Sequence, residues 1–139
     1  MIQLAGVLLI QNGNYVLQHR DSIPAITYPD TYSIWGGALE GSETTAEGAQ
    51  RELLEETGIK ATLEQLKHLC TYTIPSMYAQ RLGELVEVSA YFLELHSETV
   101  VACFEGQGIV KIPVGSRDPK INKYSLAVLE AYEQQKPKS

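Results

Sequence analysis

The chain has 139 residues, 44% of them apolar and 20% charged, which excludes a disordered or fibrous chain and points to one globular domain over residues 1–139. Seventeen acidic residues against eleven basic ones give a net charge of −6 with no Lys/Arg run, a balance that argues against a nucleic-acid polymer or an anionic membrane as partner and suits a protein that meets phosphates through divalent cations. The longest apolar run near the start, Leu4–Ile10, is far short of the ~18 residues of a membrane span, and no basic stretch precedes it as in a signal peptide, so the protein is expected to be cytoplasmic.

Leu4–Ile10 and Tyr15–His19 are β-like runs joined by Asn12-Gly13-Asn14, a strong hairpin signal. Asp21–Tyr32 follows as a long loop containing Pro24 and Pro29, and loops of that length are suspects for function. Ser33–Trp35 is a short strand leading into a glycine-rich loop, Gly36–Glu43. Thr44-Thr45-Ala46-Glu47 has the spacing of a capping box, opening a helix that runs to Thr57 with Gly58 as its left-handed stop. His68–Ile74, Leu85–Leu95 and Ile109–Ile112 are strands, and a closing helix runs from Asn122 or Lys123 to Gln134, with Gln134–Ser139 a fraying tail. Hairpin strands interrupted by two separated helices favour a mixed sheet with a helix on each side. Cys70 and Cys103, with no CxxC partner, read as small buried hydrophobes of a reducing compartment.

The first helix carries more carboxylates than a core-packing helix needs. On a helical wheel Ala49, Leu53 and Thr57 form the buried stripe. Glu52 and Glu56 fall on its border, one turn apart, and Glu55 lies further round beside Arg51. A solvated acidic face is the commoner reading of such a helix, since like-charge pairs at this spacing cost only ~0.2–0.5 kcal/mol. Against it, carboxylates at a desolvated border need a partner or they protonate, and one Arg cannot satisfy three. A divalent cation can, because Mg²⁺ takes hard oxygen ligands and keeps positions for water and phosphate oxygens. Gly48, on the carboxylate side, is expected to leave room beside Glu52 and Glu55.

Gly37, five residues, Glu43, seven residues, then Arg51-Glu52-Leu53-Leu54-Glu55-Glu56-Thr57-Gly58-Ile59 resembles the signature of the Nudix hydrolases, MutT-like members included. The resemblance implies an α/β/α sandwich with a mixed sheet between helices. It also implies Mg²⁺-dependent hydrolysis (Mn²⁺ a substitute) of a phosphoanhydride in a nucleoside diphosphate derivative. By it, Glu52, Glu55, Glu56, Glu105 and the Gly36 carbonyl would hold metal, and Glu56 or Glu52, with Glu105 the rival, would serve as base. Arg51 would fix a glutamate, while Gly37, Glu43 and Gly58 would be structural in the motif. Trp35 stands where many members have Pro, so its indole either packs or lines the pocket.

Arg20, at the end of the second strand, is a phosphate or base contact or an ordinary strand arginine. Asn122 is a purine-edge reader or a helix cap. Tyr28, Tyr32, Trp35, Tyr72 and Tyr78 are candidates for base stacking, and His19, His68 and His96 show no metal-ligand spacing. The leading expectation is a nucleoside triphosphate substrate, oxidised or non-standard ones included, cleaved to monophosphate and pyrophosphate by a monomer or homodimer. The alternatives are a nucleoside diphosphate sugar hydrolase and a non-catalytic nucleotide sensor.

Overall fold

The computed structural model describes residues 2–23, 28–75 and 84–135. Its central strand, β1 (Ile2–Gln11), is buried along most of its length on both faces, as a continuous apolar run requires when layers cover both sides. β2 (Asn14–His19) follows through a tight turn with Asn12 and Gly13 at φ 53° and 76°, both in the left-handed region that an Asn-Gly hairpin turn uses. The hairpin is short-lived. β1 pairs with β2 only through Leu9, Ile10 and Gln11, and its other half, Leu4–Val7, pairs with β4 (Trp35–Ala38).

The wedge where β1 and β2 part is filled by β3 (Tyr32–Ser33), on the end of β2, continuing into β4. The paired glycines thus lie in a strand, where the sequence reading had a loop beginning at Gly36. Glycine carries no β signal, and the partner that recruits these residues is some thirty positions away in β1.

β6 (Leu85–Glu94) runs parallel to β1 over Ile2–Ile10, and β5 (Lys67–Pro75) closes that edge, with an irregularity between His68 and Cys70. β7 (Gly108–Pro113) pairs antiparallel with the whole of β2. Helix α1 (Thr45–Thr57) covers one face, burying Ala49 and Leu53 on Ala5, Val7, Leu9, Val16 and Trp35. Helix α2 (Lys123–Gln135) covers the other, burying Val128, Leu129 and Tyr132 on Leu8, Ile10, Tyr15, Leu17 and Ile34. Each such fully buried Leu or Val contributes roughly 1.5–3 kcal/mol. The result is the expected α/β/α sandwich around a mixed sheet.

Both caps of α1 form as expected: Thr44 Oγ1 accepts from Glu47 N while Glu47 Oε1 accepts from Thr44 N, and Gly58 ends the helix at φ 76°. The room expected at Gly48 is absent. A Cβ there would lie 2.3 Å from Leu39 Cδ2, because the residues before α1 fold back over its first turn. Cys70 and Cys103 are free thiols, each half-buried. Tyr78, Pro24 and residues 136–139 of the expected tail lie outside the described residues.

Asn122 is the cap of α2. Its Oδ1 accepts from Ser125 N at 3.0 Å, and its Nδ2 donates to Thr31 Oγ1 at 3.2 Å. Asn122→Ala is expected to cost about 1 kcal/mol, a fall of roughly 3–5 °C in Tm by calorimetry, with kcat/KM unchanged. A large loss of kcat/KM without that Tm shift would restore the base-reading role.

Candidate active site

Four segments converge on the wedge between β1 and β2. β4 carries Gly36 and Gly37 past α1, the end of β2 delivers Arg20, and the stretch from α1 to β7 brings Glu105. Gly36 sits at φ 149°, and a Cβ there would lie 2.2 Å from the Ala5 carbonyl oxygen, so no other residue fits. A Cβ on Gly37 would lie 2.5 Å from Glu52 Oε1. The two glycines therefore bring backbone within touching distance of the α1 carboxylates.

Those carboxylates differ sharply in environment. Glu56 is 3% exposed, and its Oε1 accepts from Gly36 N at 2.8 Å. Burial, then the nearby charges of Glu52 and Glu105, push its pKa up to about 8 against the smaller opposing pull of Gly36 N and Arg20. Burial also raises Glu52, partly offset by Arg51. Glu55 is the most open of the three.

Arg51 is the hub of the remaining acids. Its Nε and Nη2 grip Glu43 at 2.7 and 3.0 Å, while Nη1 reaches Glu52 at 3.1 Å and Glu55 at 3.2 Å. Nη2 also donates to the Ala38 carbonyl at 3.1 Å, which ties β4 to the helix. Glu43 in turn accepts from Glu40 N at 2.9 Å, and these bonds hold its carboxyl below the usual carboxylate range. Its place is structural, as the motif implies. Arg51 does not reach Glu56, so the most buried carboxylate is the one its guanidinium leaves to other groups.

Glu105 is aimed by its backbone. Phe104 N donates to the Glu56 carbonyl at 2.8 Å, Gln18 Nε2 donates to the Glu105 carbonyl at 2.7 Å, and Gln107 N donates to the His19 carbonyl at 2.7 Å. Gln18 is a residue the sequence reading missed. A glutamine ending the apolar run Tyr15–Leu17 was its only sign, and it proves to be buried.

On the sheet face opposite α1 lies a cleft of about 510 Å³, within the range of small-molecule sites. Arg20, Gly36, Gly37 and Glu105 line one end of it, and the rings of Tyr28 and Tyr124 another part. Trp35 belongs to the cleft wall but contributes no open ring face. Its side chain is wholly buried in the core, and its Nε1 donates to the Val16 carbonyl at 2.9 Å. Asn122 is absent from the lining, and so are Tyr32 and Tyr72. Tyr124, which the sequence reading passed over, is the aromatic that α2 contributes.

Among the described residues, no three acidic, histidine or cysteine side chains are already drawn together as a metal cage. The donor set nonetheless fits a divalent cation. The charge of Glu105 raises the proton affinity of Glu52 and Glu56, and that of Glu52 raises Glu56, at a buried border where a hard dication would remove the repulsion. Gly37→Ala tests the close approach. The added methyl meets only the flexible end of Glu52, so Tm should stay within a few degrees while kcat/KM falls about 10–100-fold. Unchanged activity would show that the position of Glu52 is immaterial.

A helix presents carboxylates to a glycine-built gap, with an arginine and a cleft beyond. A family model for the NUDIX domain matches residues 3–114, and the chain belongs to the Nudix family. It is a hydrolase acting on phosphorus-containing anhydrides. The MutT NUDIX hydrolase of Burkholderia pseudomallei superposes with a TM-score of 0.77 at 17% identity, covering 94% of this chain and 96% of that one. The E. coli dihydroneopterin triphosphate pyrophosphohydrolase gives 0.74 at 19%, covering 96% and 93%. A bifunctional NMN adenylyltransferase/ADP ribose pyrophosphatase from Francisella tularensis, complexed with AMP and a manganese ion, gives 0.68 at 21% and covers 96% of this chain and 41% of that one. At these identities the likeness is one of fold.

Proposed function

We propose that this chain is a cytoplasmic, Mg²⁺-dependent pyrophosphohydrolase of nucleoside triphosphates, standard or modified, acting as one domain over residues 1–139. The observation that carries the reading is the pairing of a buried Glu56 and half-buried Glu52 with a glycine-lined opening onto a cleft that also holds Arg20 and Glu105. The nucleoside fits the cleft and the phosphates its polar end. Likeness in fold to proteins named for dihydroneopterin triphosphate and ADP ribose supports a phosphoanhydride substrate.

Glu52, Glu55, Glu56, Glu105 and the Gly36 carbonyl would hold the cation, which supplies Lewis acidity and an acidified water. The carboxylate of Glu56 takes the proton of the attacking water. The water oxygen bonds to phosphorus, the anhydride P–O bond breaks, and pyrophosphate leaves with the electron pair. Arg20 neutralises charge on the phosphate oxygens. Arg51 holds Glu52 and Glu55 in place and opposes the effect of burial on Glu52.

Incubation with a nucleoside triphosphate and Mg²⁺, with products weighed by mass spectrometry, should show monophosphate and pyrophosphate. Cleavage of a nucleotide sugar alone would transfer the site to the sugar-nucleotide reading. Retention of every nucleotide intact would transfer it to a sensor.

A further inference from the structure

The end of β2 and the loop 104–107 grip each other through two glutamines that cross in opposite directions. Gln18, on β2, is 3% exposed and donates from Nε2 to the Glu105 carbonyl at 2.7 Å. Gln107, on the loop, donates from Nε2 to the Arg20 carbonyl at 2.8 Å and reaches Asp30 Oδ1 at 3.2 Å. Between them Gln107 N donates to the His19 carbonyl at 2.7 Å, where the pairing of β2 with β7 begins. Gly106 permits this approach. It sits at φ 99°, and a Cβ there would lie 2.7 Å from the His19 carbonyl oxygen and 3.1 Å from Gln18 Cγ. Each glutamine thus ends on the backbone of a residue that lines the cleft, Glu105 in one case and Arg20 in the other.

We propose that this reciprocal clasp is a positioning device, in which Gln18 and Gln107 act as one unit to set the spacing of Glu105 from Arg20. It rests on the roles of metal ligand and phosphate contact given to those two residues above. Glu105 stands on an exposed loop and Arg20 lies just beyond the last residue of β2, so neither sits within a strand. Both nevertheless act on one carboxylate, since the charge of Glu105 raises the proton affinity of Glu56 and that of Arg20 lowers it. Misplacing a site group by about 1 Å can cost about 10²-fold in rate. Loss of a group that orients a metal ligand typically costs about 10–100-fold in metal affinity or activity. A clasp opens when either end is cut, so removing one glutamine forfeits the contribution of both.

Gln18→Met and Gln107→Met, changes of similar size that each remove one donor, test the clasp singly and together. Mn²⁺ affinity, by calorimetric titration without nucleotide, should fall about 10-fold in each single variant and little further in the double. The value of kcat/KM for pyrophosphate release from ATP, GTP, CTP and UTP in Mg²⁺ should fall about 10–100-fold in the same pattern. Gln107 is exposed, so its variant should fold with a Tm within a few degrees of the parent and carries the test even where Gln18→Met does not fold. Losses that multiply in the double variant, or a Gln107→Met protein with the parent's Mn²⁺ affinity, overturn the clasp. A parent that binds no Mn²⁺ overturns the metal role of Glu105 and the clasp with it. A parent that binds Mn²⁺ but hydrolyses none of the four nucleotides overturns the triphosphate reading, and the affinity pattern still decides the clasp.

Discussion

Replacing Glu56 with Gln is expected to cut turnover by about 10³-fold or more and, in the same protein, to stabilise the metal-free form at alkaline pH. The first effect follows from removing the one carboxylate that is buried in the wedge and bonded to Gly36 N. The second follows from linkage. The folded protein raises Glu56 from 4.5 to about 8, mainly by burial, so the folded state binds that proton more tightly than the unfolded state. The stabilisation from the neutral acid is complete below about pH 4.5 and is lost as pH rises toward 8. Gln mimics the neutral acid at every pH and keeps an oxygen for Gly36 N. Calorimetry in EDTA at pH 8 should therefore show the variant more stable by about 2–4 kcal/mol, roughly 5–10 °C, with the gap closing by pH 4.5. Near-normal turnover would remove Glu56 from the chemistry. An unchanged Tm at pH 8 would mean that water or a basic group relieves its burial.

Arg51→Lys is expected to damage activity as well, less severely and for a different reason. Arg51 spans Glu43, Glu52, Glu55 and the Ala38 carbonyl with the three nitrogens of its planar fork. A lysine keeps the charge but is a point donor on a flexible stem, and cannot bridge the helix, the preceding turn and β4 together. Loss of these bonds should lower kcat/KM about 100-fold at saturating Mg²⁺. It should also lower stability by about 1–3 kcal/mol, since charge-assisted bonds are the stronger kind and Glu43 and Glu52 are largely covered. Activity within a factor of two of the parent would show that charge alone suffices and that the fork geometry has no part in placing Glu52.

What the sequence disclosed was whatever depends on neighbours a few residues away. The capping box, the stop at Gly58 and the acidic border of α1 are all set within one or two helical turns. Strand positions were nearly as legible where β-branched and apolar residues cluster. The errors lie where a distant segment decides the outcome. Glu56 was placed at the border of the stripe but is fully covered, because β4 and the chain at Ala102–Phe104, bonded to the last turn of α1, close over it. Gly48 was given open space that Leu39 fills. Trp35 is a core residue because Val16, nineteen positions earlier, offers its carbonyl to the indole. Gln18 and Tyr124 acquire their roles only once β2, β7 and α2 are assembled. No local pattern distinguishes them from ordinary strand and helix residues.

The parting of β1 from β2 has an evolutionary corollary. Chain leaves the sheet at Arg20 and returns at Thr31, and that exit and return are stitched together by Arg20 N to the Thr31 carbonyl at 2.8 Å and Asp30 N to the Asp21 carbonyl at 2.9 Å. The stitch brackets Tyr28, so a change in the length of that excursion bears on the cleft wall Tyr28 forms while the glycines and their acids keep their register. A lineage can thus exchange one cargo for another by lengthening a single excursion, with the hydrolytic apparatus inherited intact.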